Sequence, residues 1–133
     1  MKRIIRILAG LALSALCSTV WAQQTLQPFT PSGNTVTFTA ATSCPTPVRA
    51  TTSPGVAQQY IISNNGSGMV WVAFAATSAA AATNCVIPTG TSQLVVPVLP
   101  YSQFSMTTVP GAYFTGITSS GTDVIYVTPG AGN

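Results

Sequence analysis

Residues 59–74 read QYIISNNGSGMVWVAF. Two runs rich in β-branched and aromatic residues, Tyr60 to Ser63 and Met69 to Phe74, flank Asn64-Asn65-Gly66-Ser67-Gly68, whose types tolerate the positive φ of a tight reversal. The stretch predicts a β-hairpin. In its second arm Val70, Val72 and Phe74 fall on one face and Met69, Trp71 and Ala73 on the other. Apolar residues on both faces imply either a strand covered on both sides or one face in the core and the other against a partner. Trp71 and Met69 are therefore the candidate partner surface. Tyr60, Ile62, Val70, Val72 and Phe74 are the candidate core, each contributing about 1.5–3 kcal/mol if fully buried.

On the N-terminal side, the chain of 133 residues opens with Lys2, Arg3 and Arg6, then an apolar run from Ile7 to Leu16, then Val20-Trp21-Ala22. That order predicts a signal peptide over residues 1–22, cleaved between Ala22 and Gln23. The alternative is a retained membrane anchor, since Ile4 to Ala22 approaches the roughly 20 residues a spanning helix needs. Cys17 invites a lipoprotein reading, which the bulky Leu16 before it opposes.

Cleavage would remove three of the four basic residues and leave Arg49 and Asp123 as the only charged side chains, with no histidine anywhere in the sequence. The net charge of +3 then belongs to the export signal. It does not indicate a nucleic-acid partner, which requires a basic patch against phosphates. A near-neutral surface hydrated by Ser, Thr, Asn and Gln has little protection against self-association. The expected partner is another protein or a second copy of the chain, as a homo-oligomer, with no membrane contact after cleavage.

Cys44 and Cys85 remain as an even pair in an exported chain, which predicts a disulfide. Closing a loop of about 40 residues would stabilise the fold by about 4 kcal/mol in the chain-entropy account. Two buried free thiols are the alternative.

Along the rest of the chain, residues 23–34 carry Pro28, Pro31 and Gly33 and predict an extended lead-in. Thr35 to Thr39 alternates as a half-buried strand, with Val36 and Phe38 inward. Prolines 45, 47 and 54 leave at most a short edge segment around Val48 to Thr51, where Arg49 serves as an edge-protecting charge. Ala75 to Thr83 predicts a loop or one to two helical turns. Pro97 places the strand from Gln93 to Leu99 at an edge or bulge. Gln103 to Thr108 points Phe104 and Met106 inward. Ala112 to Thr118 and Asp123 to Thr128, joined by Ser119-Ser120-Gly121-Thr122, predict a second hairpin, in which Asp123 starts a strand or caps the turn before it. Residues 129–133 are expected to be a flexible tail.

About seven or eight short strands with turn signals between them predict an all-β domain over residues 35–128, an antiparallel β-sandwich or jelly-roll-like barrel. Catalysis is not expected. General acid–base chemistry needs a group that titrates near the working pH, a glycosidase needs two carboxylates, and a Ser-His-Asp triad needs a histidine. Two cysteines with no histidine cannot assemble a four-ligand zinc site. No cofactor or metal is expected.

The order YIISNNG, an Ala-rich segment, VPVLP, AYFTGI and a terminal SGTDVIYVTPGAG, over roughly residues 59–133, resembles small β-rich proteins encoded in the structural gene clusters of tailed bacteriophages. The resemblance implies a virion-associated, decoration-like accessory protein that binds by surface complementarity. The export signal departs from that pattern, because phage heads assemble in the cytoplasm. The other reading is an exported bacterial surface or periplasmic binding module, and a third is a carrier with an apolar pocket between its sheets.

Overall fold

The computed structural model describes residues 29–51, 59–90 and 94–131. The expected signal peptide, its Ala22–Gln23 cleavage site and the start of the lead-in lie outside the described residues. The strands are β1 (Thr30–Pro31), β2 (Val36–Ala40), β3 (Val48–Arg49), β4 (Gln59–Asn64), β5 (Val70–Ala75), β6 (Val95–Val98), β7 (Gln103–Thr107), β8 (Tyr113–Thr118) and β9 (Asp123–Ala131), with one helix, α1 (Ser78–Asn84). They form two sheets. The first is a five-stranded sheet ordered β1-β9-β4-β7, with β2 also on β9, and the second is a four-stranded sheet ordered β3-β8-β5-β6. All named pairs are antiparallel. The all-β expectation therefore holds as a sandwich of two antiparallel sheets.

The period-two alternation read from the sequence sets which side chains enter the core. Phe38, Tyr60, Ile62, Val70, Val72, Val98, Phe114, Ile125 and Val127 are buried in one cluster, with Phe74, Phe104 and Met106 packed against it. The rings of Tyr60 and Phe114 sit 5.0 Å apart at 56°, a tilted geometry that aromatic quadrupoles favour. Pro97 lies in an edge strand, as expected, because a residue without an N–H cannot serve a central ladder. Arg49 lies in the opposite edge strand of the same sheet.

Both expected hairpins are absent. β4 pairs with β7 and β9, whereas β5 pairs with β6 and β8 in the other sheet. The segment Asn64–Gly68 is therefore an arch that crosses the sandwich. The same holds for Ser119–Thr122, which carries the chain from β8 to β9. The Asn64 side chain shapes the first arch: Gly66 N–H donates to its Oδ1 at 2.8 Å, and its Nδ2 donates to the Gly68 carbonyl at 2.8 Å and the Val98 carbonyl at 3.3 Å. With both polar ends satisfied, Asn64 is tolerated at 2 % exposure.

The domain limits shift at both ends. The first sheet begins at Thr30 rather than Thr35, and β9 runs on to Ala131 where a flexible tail was expected. β1 lies along Gly130 and Ala131, and Ser32 N–H donates to the Pro129 carbonyl at 3.0 Å, so Pro129 and Gly130 are buried.

The Ala-rich stretch does form a helix. Thr77 caps α1 by accepting from Ala80 N–H at 3.2 Å, and Ala81 is fully buried. α1 lies over the outer side of β5 and β8. The disulfide Cys44–Cys85, with Cα atoms 6.2 Å apart, ties the chain ahead of β3 to the end of α1. Thr115 Oγ1 donates to the Pro45 carbonyl at 2.8 Å, so that part of the sheet's outer side is closed and Thr115 is buried.

Candidate functional site

The two charged side chains among the described residues stand at opposite ends of the sandwich. Arg49, on β3, is exposed. Its Nε donates to the Gly111 carbonyl at 3.3 Å and its guanidinium lies 5.7 Å from the centre of the Tyr113 ring, within cation–π range. It therefore braces an edge. At the same end Tyr60 Oη donates to the Val109 carbonyl at 3.0 Å and accepts from Ala112 N–H at 3.4 Å.

Asp123 is at the other end, 4 % exposed. It starts β9, as expected, but the turn it caps is the other one. Its Oδ1 accepts from Gly68 N–H at 3.0 Å, and a side chain at Gly66 or Gly68 would run into its carboxylate. Gly66 and Gly68 do not adopt positive φ, which among the described glycines is confined to Gly111 and Gly121. They are needed because Asp123 approaches them so closely. The only acidic side chain of the sequence thus bridges the two arches.

Around this brace a third segment closes in. Asn64 N–H donates to the Ser102 carbonyl at 2.8 Å, Tyr101 N–H to the Gly66 carbonyl at 3.2 Å, and Asn65 N–H to the Val124 carbonyl at 3.1 Å. Ser102 Oγ donates to the Leu99 carbonyl at 2.7 Å. These bonds hold Tyr101 at φ 50°, where no other non-glycine residue is found among the described residues. Its side chain is 74 % exposed. Ser63, Asn64, Asn65, Tyr101, Ser102 and Gln103 line a cleft of about 310 Å³ open to solvent. The sequence did not signal this site. Pro100-Tyr101-Ser102 carries no glycine or asparagine to mark a left-handed residue, and the cleft forms where the start of the Asn64–Gly68 arch meets the Tyr101–Gln103 segment.

Trp71 sits on the outer side of the second sheet, opposite Pro97 on β6 and Ile117 on β8, and is half-buried. Met69, just before β5, is also half-buried. Trp71 alternates with the core residues Val70 and Val72 along β5 and so lies on the opposite face from them. Among the described residues, no group of three or more His, Cys, Asp or Glu gathers where it could hold a metal ion, and no helix is long and apolar enough to cross a membrane.

No protein-family model, curated protein or solved structure matches the chain.

Proposed function

We propose that the chain is an exported, non-catalytic structural or binding protein that acts by surface contact with a protein partner or with copies of itself. The observation that carries this reading is where its few reactive groups are spent. Asp123 is buried on Gly68 N–H, Arg49 is engaged by Gly111 and Tyr113, and Cys44 and Cys85 are bonded to each other. The disulfide suits an oxidising compartment.

The strand edges suggest how contact is made. An open edge offers unpaired N–H and C=O groups to another strand, and proteins blunt it with proline, charge or brevity. β6 carries Pro97, and β3 is two residues long and carries Arg49. On the β2 side, Thr118 N–H donates to the Ala41 carbonyl at 3.0 Å and Ala41 bridges Ile117, so the chain crosses to the second sheet there. β7, the last strand of its sheet, is five residues of QFSMT with neither proline nor charge. It is the edge best suited to strand addition.

Two settings fit such a protein: an exported bacterial surface or periplasmic module, which the disulfide favours, and a virion accessory, which the resemblance to phage structural-cluster proteins favours. Fractionation separates them. The chain is expected outside the cytoplasm, and neighbouring head or tail genes with peptides in purified particles would assign the virion setting. Recovery as a free cytosolic protein would overturn the export reading.

A further inference from the structure

Tyr101 does little for the fold and costs it something. Its ring is 74 % exposed, so it gains little from burial. Its φ of 50° is one that glycine or asparagine adopts readily and a bulky residue does not. The three hydrogen bonds that fix this loop, from Tyr101 N–H, Asn64 N–H and Ser102 Oγ, would serve glycine or asparagine equally well at position 101. An aromatic ring held outward in a strained backbone, at the mouth of a cleft, is explained by something it touches.

The surroundings define what that is. Asn64 is consumed by the arch, but Ser63 and Gln103 stand side by side in register, and Tyr126, 38 % exposed, is the next residue in the same row. Two strand spacings put Tyr126 roughly 10 Å from Gln103. The lining is therefore the Tyr101 ring with serine hydroxyls and the side-chain amides of Gln103 and Asn65, and the Tyr126 ring flanks it on the sheet beyond Ser63. Asp123 is buried beneath and Arg49 is at the far end, so among the described residues no charge faces the cleft to select an anion or a cation. A polar lining does not suit an apolar molecule. A sugar ring presents C–H groups to an aromatic face and hydroxyls to amides that can both donate and accept.

We infer that the cleft beside Tyr101 binds a neutral oligosaccharide, with Tyr101 as the stacking platform, Ser63, Asn65 and Gln103 as hydroxyl partners, and Tyr126 at the flank reached by a longer chain. This rests on the proposed role as an exported contact protein and names one surface it contacts.

The test is calorimetric titration of the full chain, recovered from an exporting host, with short neutral oligosaccharides of glucose, galactose, mannose and N-acetylglucosamine, alongside thermal melts of Tyr101→Asn, Tyr101→Phe and Gln103→Ala. The expected result is saturable binding to at least one sugar that Tyr101→Phe retains and Tyr101→Asn weakens about tenfold or more, the scale of one stacking contact. Tyr101→Asn should melt at or above the parent temperature. Gln103→Ala should weaken binding without changing the melt. The inference is overturned if no sugar of the set binds the parent, if Tyr101→Asn binds as the parent does, or if Tyr101→Asn lowers the melt, which would make the ring a structural residue. Loss of only a protein partner on Tyr101→Asn would likewise replace the sugar with a protein. An extracytoplasmic protein that fails this titration leaves the proposed function standing and removes the sugar site alone.

Discussion

Asp123 shows how much one side chain can carry when charge is this scarce. Its carboxylate satisfies a backbone donor in the Asn64–Gly68 arch while its own backbone begins β9. Asp123→Ala leaves the partly buried Gly68 N–H without its acceptor, and we expect a loss of about 1–2 kcal/mol in urea unfolding. Asp123→Asn keeps an acceptor and should lose less. Gly66→Ala drives a methyl into the carboxylate and should destabilise by about 1–3 kcal/mol, as overpacking does. If Gly66→Ala is as stable as the parent, the two arches are not braced in this way. The glycines at 66 and 68 were legible as turn residues, but the reason for them was not. Position in sequence cannot show that a carboxylate more than fifty residues away will occupy the space a Cβ would need.

At the scale of elements, alternation made the strands and their inward faces readable. Phe38, Tyr60, Ile62, Phe104 and Met106 face the core side that the period of two assigns them, whereas in β8 and β9 both faces are apolar and the structure turns Phe114, Ile125 and Val127 inward. Pairing was less legible. A short polar, glycine-rich link between two apolar runs looks the same whether it folds a strand back on itself or arches it over to the opposite sheet, because both reverse the chain in a few residues. The choice is made by partners distant in sequence: β4 finds β9 and β7, and β5 finds β8 and β6. Two predictions belong here. Replacing both Cys44 and Cys85 with serine should cost about 2–4 kcal/mol, read as a lower urea midpoint that reductant no longer shifts. Ser105→Lys places a charge at the middle of β7, on an exposed position, and should reduce self-association or partner binding, read by light scattering, while the melt stays within experimental error of the parent. Unchanged association would direct attention to Trp71, where Trp71→Ala with normal folding and normal assembly would remove that surface as well.

For the whole molecule, an edge crossing, a disulfide and a helix close the sandwich, and none of these closures among the described residues depends on an ion pair. That is the physical sense of a sequence with one acidic residue and no histidine: its polar surface is mostly hydroxyl and amide. Charge scarcity was plain in the sequence. The cleft at Tyr101 was not, since it depends on how two connections distant in sequence meet at one end of the sandwich. Whether this is an exported, disulfide-closed contact protein is decided most directly by intact mass, taken after thiol alkylation without reductant on the chain recovered from each cellular fraction. An extracytoplasmic or particle-bound chain beginning at Gln23, with Cys44 and Cys85 unalkylated, is the expected result. A cytosolic chain that retains Met1 to Ala22, with both cysteines alkylated, would contradict it.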